Sequence, residues 1–519
     1  MQINTFSLYS NIYKKRVLLL IIFSSIIKLI LSNFIELGND EVYYYTYALQ
    51  PDWNHFDHPG MIGWMIRVTS FNLLWVSTFS LRIGSILCSA ATTYIIFKCG
   101  TLARDEKAGY FASCIYTFSI YTSIIAGFFV MPDSPQLLFY SVSIYLIIKY
   151  VTNPNEFNTK KWILLGLFIG FATLSKVHAL FLWFGFINYI FFFENKTLKN
   201  KNLYISIFIT FICLIPIIYW NIQNDFITYK FHSKRILHSG VSFSNFMKEI
   251  TGEFIYQNPF IFLIILATFF NIKSIKLSFN NKKVHTLLLW LGLPTILVFW
   301  VISLFNPTLP HWSGPGYVSL FIIAGVFLSN NNLKMPLLLN IAFVFDIFII
   351  FSIITLINFV PFQFGSSKQR SLGEMNPLLD ISGWSVFSNK FTKIVNYDIS
   401  NGLMKKNSPI VIYKWFPGGH ILFYVATPLH LNIISIGNLE DLHKFAWLNN
   451  HQQLHIGDDA YCIVPTNVPF DPLHDYQKYF EKILMPDTIP AIKNGILTRN
   501  FLIYRLKNCK KIPNKILNK

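Results

Sequence analysis

"KKRVLLLIIFSSIIKLILSNF", residues 14–34, decides the class of fold. Three basic residues lead into an apolar run long enough to cross a hydrocarbon core, which takes about 20 residues of helix. No small-residue cleavage site follows, so the run reads as a retained first helix and not as a signal that is removed. Comparable runs recur through the first 360 residues. Spans are expected at about 17–35, 80–98, 108–130, 135–150, 162–175, 177–193, 203–220, 259–272, 284–303, 316–329 and 336–359. Composition agrees: hydrophobic residues make up 53% of the chain and charged ones 13%, against roughly 25% charged in soluble domains. Mean hydropathy is +0.44. The fold class expected is an α-helical polytopic membrane protein with about eleven transmembrane helices.

The formal charge of +18 follows from where Lys and Arg sit. Lys14, Lys15 and Arg16 hold the N-terminus on the cytoplasmic side, and further inner loops carry groups such as Lys98, Arg104 and Lys107, or Lys273, Lys276, Lys282, Lys283 and, later, Lys334. No basic stripe with a reading helix or stacking sheet appears, so nucleic acid is not expected as a partner. Residues 162–193 read either as one long helix or as two short ones turning at Lys176-Val177-His178; the charge bias favours two and puts Lys176 at the outer surface. Lys28 and Asp346 fall inside spans. Lys28 is expected to snorkel outward, and Asp346 to face the bundle interior.

From about residue 360 the texture changes. "SPIVIYKW", "LNIISIG", "AYCIVPT" and "FLIYRLK" read as strands, so residues 360–519 are expected to form a soluble, extracytoplasmic α/β domain after a membrane domain of 1–359. The six cysteines show no metal-ligand spacing. Cys462 and Cys509 are candidates for a pair if the tail faces an oxidising compartment.

The unusual residues gather in the outer loops. The first, 36–79, contains "NDEVYYYTYALQPDWNHFDHPGMIGW" (39–64), with Asp40, Glu41, Asp52 and Asp57 within eighteen positions of a chain holding only 25 acidic residues. The others contribute Asp133 in "MPDSP", Lys176 and His178, then "WNIQNDF" with Trp220 and Asn221, followed by Lys234 and Arg235, and finally His311 and Trp312 in "LPHWSGPG". A carboxylate at a membrane edge can take a proton from an incoming hydroxyl. Lys and Arg can hold a phosphate as it gains charge on leaving. Tyr43, Tyr44, Trp53 and Trp312 suit a sugar face or a lipid interface. Each residue also has a plain structural use: Asp133 as a helix cap, Lys176 snorkelling to headgroups.

These segments, with "GLFIGFATLSKVHALFL", "YWNIQNDFITYKF" and the tail's "PGGHILFYV", resemble the successive motifs of bacterial membrane glycosyltransferases of the protein-mannosyltransferase-like, GT-C class. That class includes the aminoarabinose and galacturonic acid transferases that modify lipid A. The resemblance implies inverting transfer of a sugar from a polyprenyl-phosphate donor to a lipid, polysaccharide or protein acceptor outside the inner membrane. It assigns Asp40 as base, Glu41 as an orienting group and Asp133 as support for acceptor or base. It places Asp57 and His58 beside the donor phosphate, with Lys176 as the lasting phosphate contact and Arg82, Lys234 and Arg235 as further candidates. Where the aminoarabinose transferases have Lys-Pro-Pro, this chain has His58-Pro59-Gly60, so the charge of that contact differs. No cofactor is expected; a divalent metal held by Asp40, Glu41 and Asp133 is the open alternative. The rival functions are a lipid or sugar carrier, for which the midplane would be the place to look, an O-antigen ligase or polymerase, and a glycan-binding scaffold.

Overall fold

The computed structural model describes residues 3–234, 240–271, 279–330, 336–360, 364–449, 453–514 and 517. Arg235, Lys273, Lys276 and Lys334 lie outside the described residues, as does the Lys234 side chain. Two compact units emerge. The first comprises Met1–Ile30, Asp52–Thr69 and Phe79–Ile350, the second Leu31–Pro51, Ser70–Thr78 and Phe351–Lys519.

The first unit is helical throughout. Its helices are α1 (Ile3–Leu31), then, after α2 (Asn39–Leu49) of the second unit, α3 (Met61–Thr69), α4 (Thr78–Ala103), α5 (Glu106–Phe118), α6 (Asp133–Thr152), α7 (Thr159–Ser175) and α8 (Phe181–Phe193). The run continues with α9 (Lys201–Gln223), α10 (Ile227–Lys234), α11 (Phe243–Tyr256), α12 (Pro259–Phe270), α13 (Phe279–Ser303), α14 (Gly314–Ser329) and α15 (Leu337–Asn358). Every apolar run read from the sequence falls on one or more of these helices. Among the described residues four are long and apolar enough to cross a membrane: Thr78–Ala103, Lys201–Gln223, Asn281–Ser303 and Leu337–Asn358. Helices α11 and α12 meet at 104° and together also pass that test. The helical run of 159–193 breaks at Lys176, whose extended backbone (φ −149°, ψ 130°) separates α7 from a 3₁₀ turn leading to α8.

The segment expected as the first outer loop, 36–79, contains α2 and α3, with Asp40 and Glu41 in the first turn of α2, where negative charge favours a helix. One sequence expectation is corrected. Lys28 does not snorkel. It is buried, and its ammonium donates to Ser89 Oγ at 2.8 Å within electrostatic range of Asp346, which itself accepts from Ser123 Oγ at 3.1 Å. Asp346 is buried as expected.

The second unit adds α16 (Trp384–Ser400) and six strands: β1 (Ile410–Ile412), β2 (Ile433–Ser435), β3 (Ala460–Pro465), β4 (Phe480–Ile483), β5 (Asp487–Lys493) and β6 (Ile496–Cys509). The sheet runs β2-β1-β3-β6-β4, with β5 also on β6; β1 lies parallel to β2 and β3, and the remaining pairings are antiparallel. Phe501 and Ile503 are buried on one face of β6, and Tyr504 and Leu506 on the other. Cys462 and Cys509 are both free and buried. Cys462 sits opposite Tyr504, so Cys509 lies five residues further along β6, about 17 Å at the rise of a strand. That separation rules out the pairing.

Candidate functional site

In the first unit, five chain segments converge on one buried ion pair. Asp133 begins α6 immediately after Pro132. It is not the cap of that helix; its side chain turns instead to Lys176, whose Nζ lies 2.6 Å from Asp133 Oδ2. The break after α7 explains how a lysine gets there, because Lys176 leaves the helix in an extended conformation that a continuous helix would not allow. Both side chains are almost wholly buried. The phenol of Tyr121 donates to Asp133 Oδ1 at 2.9 Å, from a five-residue π-helical turn, Tyr121–Ile125. Such turns cost stability and recur at functional sites.

Three histidines surround the pair. The Gln136 amide donates to His178 Nε2 at 3.0 Å, which fixes that nitrogen as an acceptor. His311 stacks on Tyr256 (6.3 Å) in the loop between α13 and α14. His58 belongs to the loop 52–60, which closes on itself through a bridge between Asn54 and Pro59 and bonds from His55 N to His58 O and Gly60 N to Trp53 O. Gly60 is required by close approach: a Cβ there would lie 1.9 Å from Asp52 O. The same loop is tied to α9 and α10. Trp220 Nε1 donates to Asp52 Oδ2 at 2.8 Å, Asn54 Nδ2 to Thr228 Oγ1 at 3.0 Å, and His232 Nε2 to Asp57 O at 2.8 Å.

Charge is distributed unevenly over these groups. Burial pushes the Asp133 carboxyl up, but the Lys176 charge, with a smaller pull from His311 and the hydrogen bonds of Lys176 and Tyr121, holds it well below the usual carboxylate range. Burial pushes His58 down to about 3, Asp57 opposing and Lys176 and His232 adding to the effect. Burial and then Lys176 push His311 down to about 4, against Asp133. At neutral pH the cluster therefore presents an ammonium, its carboxylate and neutral imidazoles. This is a set of directed hydrogen-bonding groups around one buried cation, suited to receive an anion that can share the ammonium.

Of the residues expected from sequence, Asp133, Lys176, His58 and His311 come together here, with Asp57 and Trp220 holding the loop of His58. Asn221, buried one residue on, donates to Ile217 O at 3.0 Å. Trp312 packs on Phe299 (6.0 Å). Arg82, wholly buried on α4, sets its guanidinium 4.4 Å over the Phe128 ring. Tyr121 and Gln136 were not foreseen; nothing local marks them, because they act 12 and 42 residues away from their partners. Among the described residues, no three His, Cys, Asp or Glu side chains are grouped as metal ligands.

The remaining expected residues lie in the second unit, on α2. Asp40 is exposed, Glu41 accepts from Gly38 N at 2.8 Å and so closes the start of its own helix, and Tyr44 is buried. The "PGGH" segment of the tail supports this helix. A Cβ on Gly419 would lie 2.8 Å from Val42, and His420 Nε2 donates to Asn39 Oδ1 at 2.9 Å. His420 stacks flat on Trp384 (4.2 Å), over whose ring the Arg499 guanidinium sits at 4.3 Å. Burial, then Arg499, push His420 well below its ordinary value, so it stays neutral. Glu36 caps α16 by accepting from Trp384 N (2.7 Å) and Ser385 N (2.9 Å).

Comparison with known proteins bears on both units. The family model of dolichyl-phosphate-mannose-protein mannosyltransferase matches residues 57–220, the segment holding His58, Asp133 and Lys176. A lipid A galacturonosyltransferase, RgtD of Rhizobium johnstonii, is 20% identical over 293 residues, 55% of this chain and 59% of that protein, so the match spans under two thirds of the relative's length. Among solved structures, ArnT from Cupriavidus metallidurans in the apo state superposes with a TM-score of 0.60 at 11% identity, covering 93% of this chain and 97% of that one. Its structure bound to undecaprenyl phosphate gives 0.56 at 12%. The fold is thus that of ArnT, helical with a C-terminal sheet region. The resemblance to glycosyltransferases of the protein-mannosyltransferase-like, GT-C class holds.

Proposed function

We propose that this chain is an inverting glycosyltransferase of the inner membrane, moving a sugar from a polyprenyl-phosphate donor to a hydroxyl of a lipid, glycan or protein on the extracytoplasmic face. The observation that carries the reading is the buried Asp133–Lys176 pair with neutral His58, His178 and His311 around it, brought from the ends of separate apolar helices. A phosphate monoester leaving group gains charge as the glycosidic bond breaks. Lys176, held but not neutralised away by Asp133, supplies the compensating cation, and imidazole nitrogens supply short directed contacts. Asp133 holds the Lys176 ammonium in place through the 2.6 Å ion pair.

The resemblance, together with its exposure, supports Asp40 as the base that takes the acceptor proton as the hydroxyl attacks the anomeric carbon. The inward-facing basic loops support a cytoplasmic N-terminus, and the tail after α15 then faces outward, with eleven spans as the arrangement proposed. The neighbours' printed names point to undecaprenyl phosphate as the lipid carrier and to lipid A as an acceptor class. The test is transfer of radiolabelled sugar from polyprenyl-phosphate donors to host membrane lipids by the native chain and by Asp40→Asn. Loss of transfer with donor binding kept is expected. Transfer by the variant at the native rate removes Asp40 as base, and no transfer by the native chain with any donor removes the enzyme reading.

A further inference from the structure

The sheet of the second unit has a feature outside the Asp133–Lys176 site. Strand β1 lies in the middle of a parallel trio: the chain leaves it to one side for β2, then returns past it to lay down β3 on the other side. Where successive crossovers part in this way, the loops at the carboxyl ends of the strands diverge and leave a crevice, the usual ligand position in open α/β sheets. Here that crevice is a cavity of about 730 Å³, lined by the residues that immediately follow β1 (Tyr413, Lys414) and β2 (Ile436 to Asn438) and by Val468 to Phe470 in the loop after β3. Its size falls in the range of about 300–1,000 Å³ found for small-ligand sites.

The lining states what fits. Tyr413 and Phe470 stack face to face at 4.2 Å and 4°, and Tyr476 leans on Phe470 at 5.1 Å. Both tyrosine hydroxyls are committed to backbone carbonyls, Tyr413 to Val468 O at 2.6 Å and Tyr476 to Ile436 O at 3.0 Å. Tyr413 and Tyr476 are therefore fixed and buried beneath the crevice, and the partly exposed rings of Phe470 and Tyr479 carry the aromatic surface of its lining. Around them stand groups that donate and accept: Asn438 begins a short helical turn without lending its side chain to it, and Asp441 and Lys478 face the same space with Asp475 and Lys414. Two carboxylates balance two ammonium groups, so a polyanion gains nothing here. A hydroxyl-rich ring with apolar C–H faces matches fixed aromatic surface plus mixed, charge-balanced hydrogen-bonding groups.

We propose that this crevice is a carbohydrate-binding site that takes a short oligosaccharide portion of the acceptor. The assignment of the sugar to the acceptor rests on the transferase reading; the carbohydrate site itself does not. The test uses the full-length protein in lipid nanodiscs, without donor. Binding is measured by saturation-transfer NMR and calorimetry with lipid-free oligosaccharides released from the host envelope by mild acid, and with maltotriose. Saturable binding of an envelope oligosaccharide is expected, weakened at least tenfold by N438A/D441A with unchanged melting and unaltered by Asp40→Asn. Absence of saturable binding, or equal affinity in N438A/D441A, overturns the proposal. The same variant assayed for transfer should show a raised KM for acceptor with kcat kept. Glycan binding by a protein that transfers nothing supports the crevice while removing the transferase reading, so the two fail separately.

Discussion

Replacing Lys176 with Met keeps the volume of the side chain and removes its charge. Asp133 is then left wholly buried with its carboxylate facing no cation at 2.6 Å, and only the Tyr121 hydroxyl still donates to it. Breaking one partner of a buried pair costs about 3–5 kcal/mol. At roughly 2 °C per kcal/mol for a body of this size, melting should fall by about 6–10 °C at neutral pH. The pH dependence carries a sign. In the native protein the Asp133 pKa is depressed, so its contribution is present above the unfolded carboxylate value of about 3.9 and is lost only as pH falls below it. In Lys176→Met burial acts without Lys176 and raises the pKa, so stability is lost as pH rises from about 4. The gap in melting between the two proteins should therefore widen from pH 4 to pH 8. Adding Asp133→Asn should recover most of the loss, because no buried charge remains and the amide still accepts from Tyr121. Melting followed by tryptophan fluorescence in detergent reads all three proteins. A single variant as stable as the native chain at pH 8, or a double variant no better than the single one, refutes the buried-pair account.

Gly60→Ala should open the bridged loop, since its Cβ would meet Asp52 O at 1.9 Å, and should weaken binding of polyprenyl phosphate at least tenfold by disturbing His58; unchanged binding counts against the loop's role. His58 and His311, held neutral down to about 3 and about 4, should make the native fold lose stability as pH falls below about 6.5, where the unfolded imidazoles take up protons and the folded ones do not. A melting temperature flat from pH 7 to pH 4.5 would exclude this. His420→Ala should cost about 2–3 kcal/mol by removing the Trp384 stack and the bond to Asn39. His420→Phe should restore the stacking share in thermal unfolding but leave transfer slow, because Asn39, next to Asp40, then keeps only its side-chain bond to Asp380.

What the sequence made legible follows from what has a local signature. Apolar runs of span length reveal themselves within 20 residues, and each one falls on helix. Strands β1, β2 and β3 lie within "SPIVIYKW", "LNIISIG" and "AYCIVPT", and "FLIYRLK" lies within the longer β6, where apolar and β-branched residues cluster. β4 and β5 carry charged and proline residues on half-exposed faces, so no comparable pattern marked them. Helix α2 was hidden by its tyrosines, which read as loop-side aromatics although Gly38 and the acidic first turn announce a helix start. The site was visible as residue types on one expected side of the membrane, yet its central pair joins residues 43 apart and its support for α2 joins residues 381 apart. Such pairings leave no periodicity to read. Lys28 misled for the same reason: a lysine near a helix end snorkels by default, and only the fold supplies Ser89 and Asp346 to bury it against.

The central claim is that Lys176 supplies the charge that receives the donor's phosphate. The most direct measurement is binding of radiolabelled polyprenyl phosphate to the purified native chain and to the Asp133→Asn, Lys176→Met double variant, whose fold the melting series should show to be kept. The account predicts saturable binding by the native chain and a loss of at least a hundredfold in the double variant. Equal binding by the two proteins would contradict it.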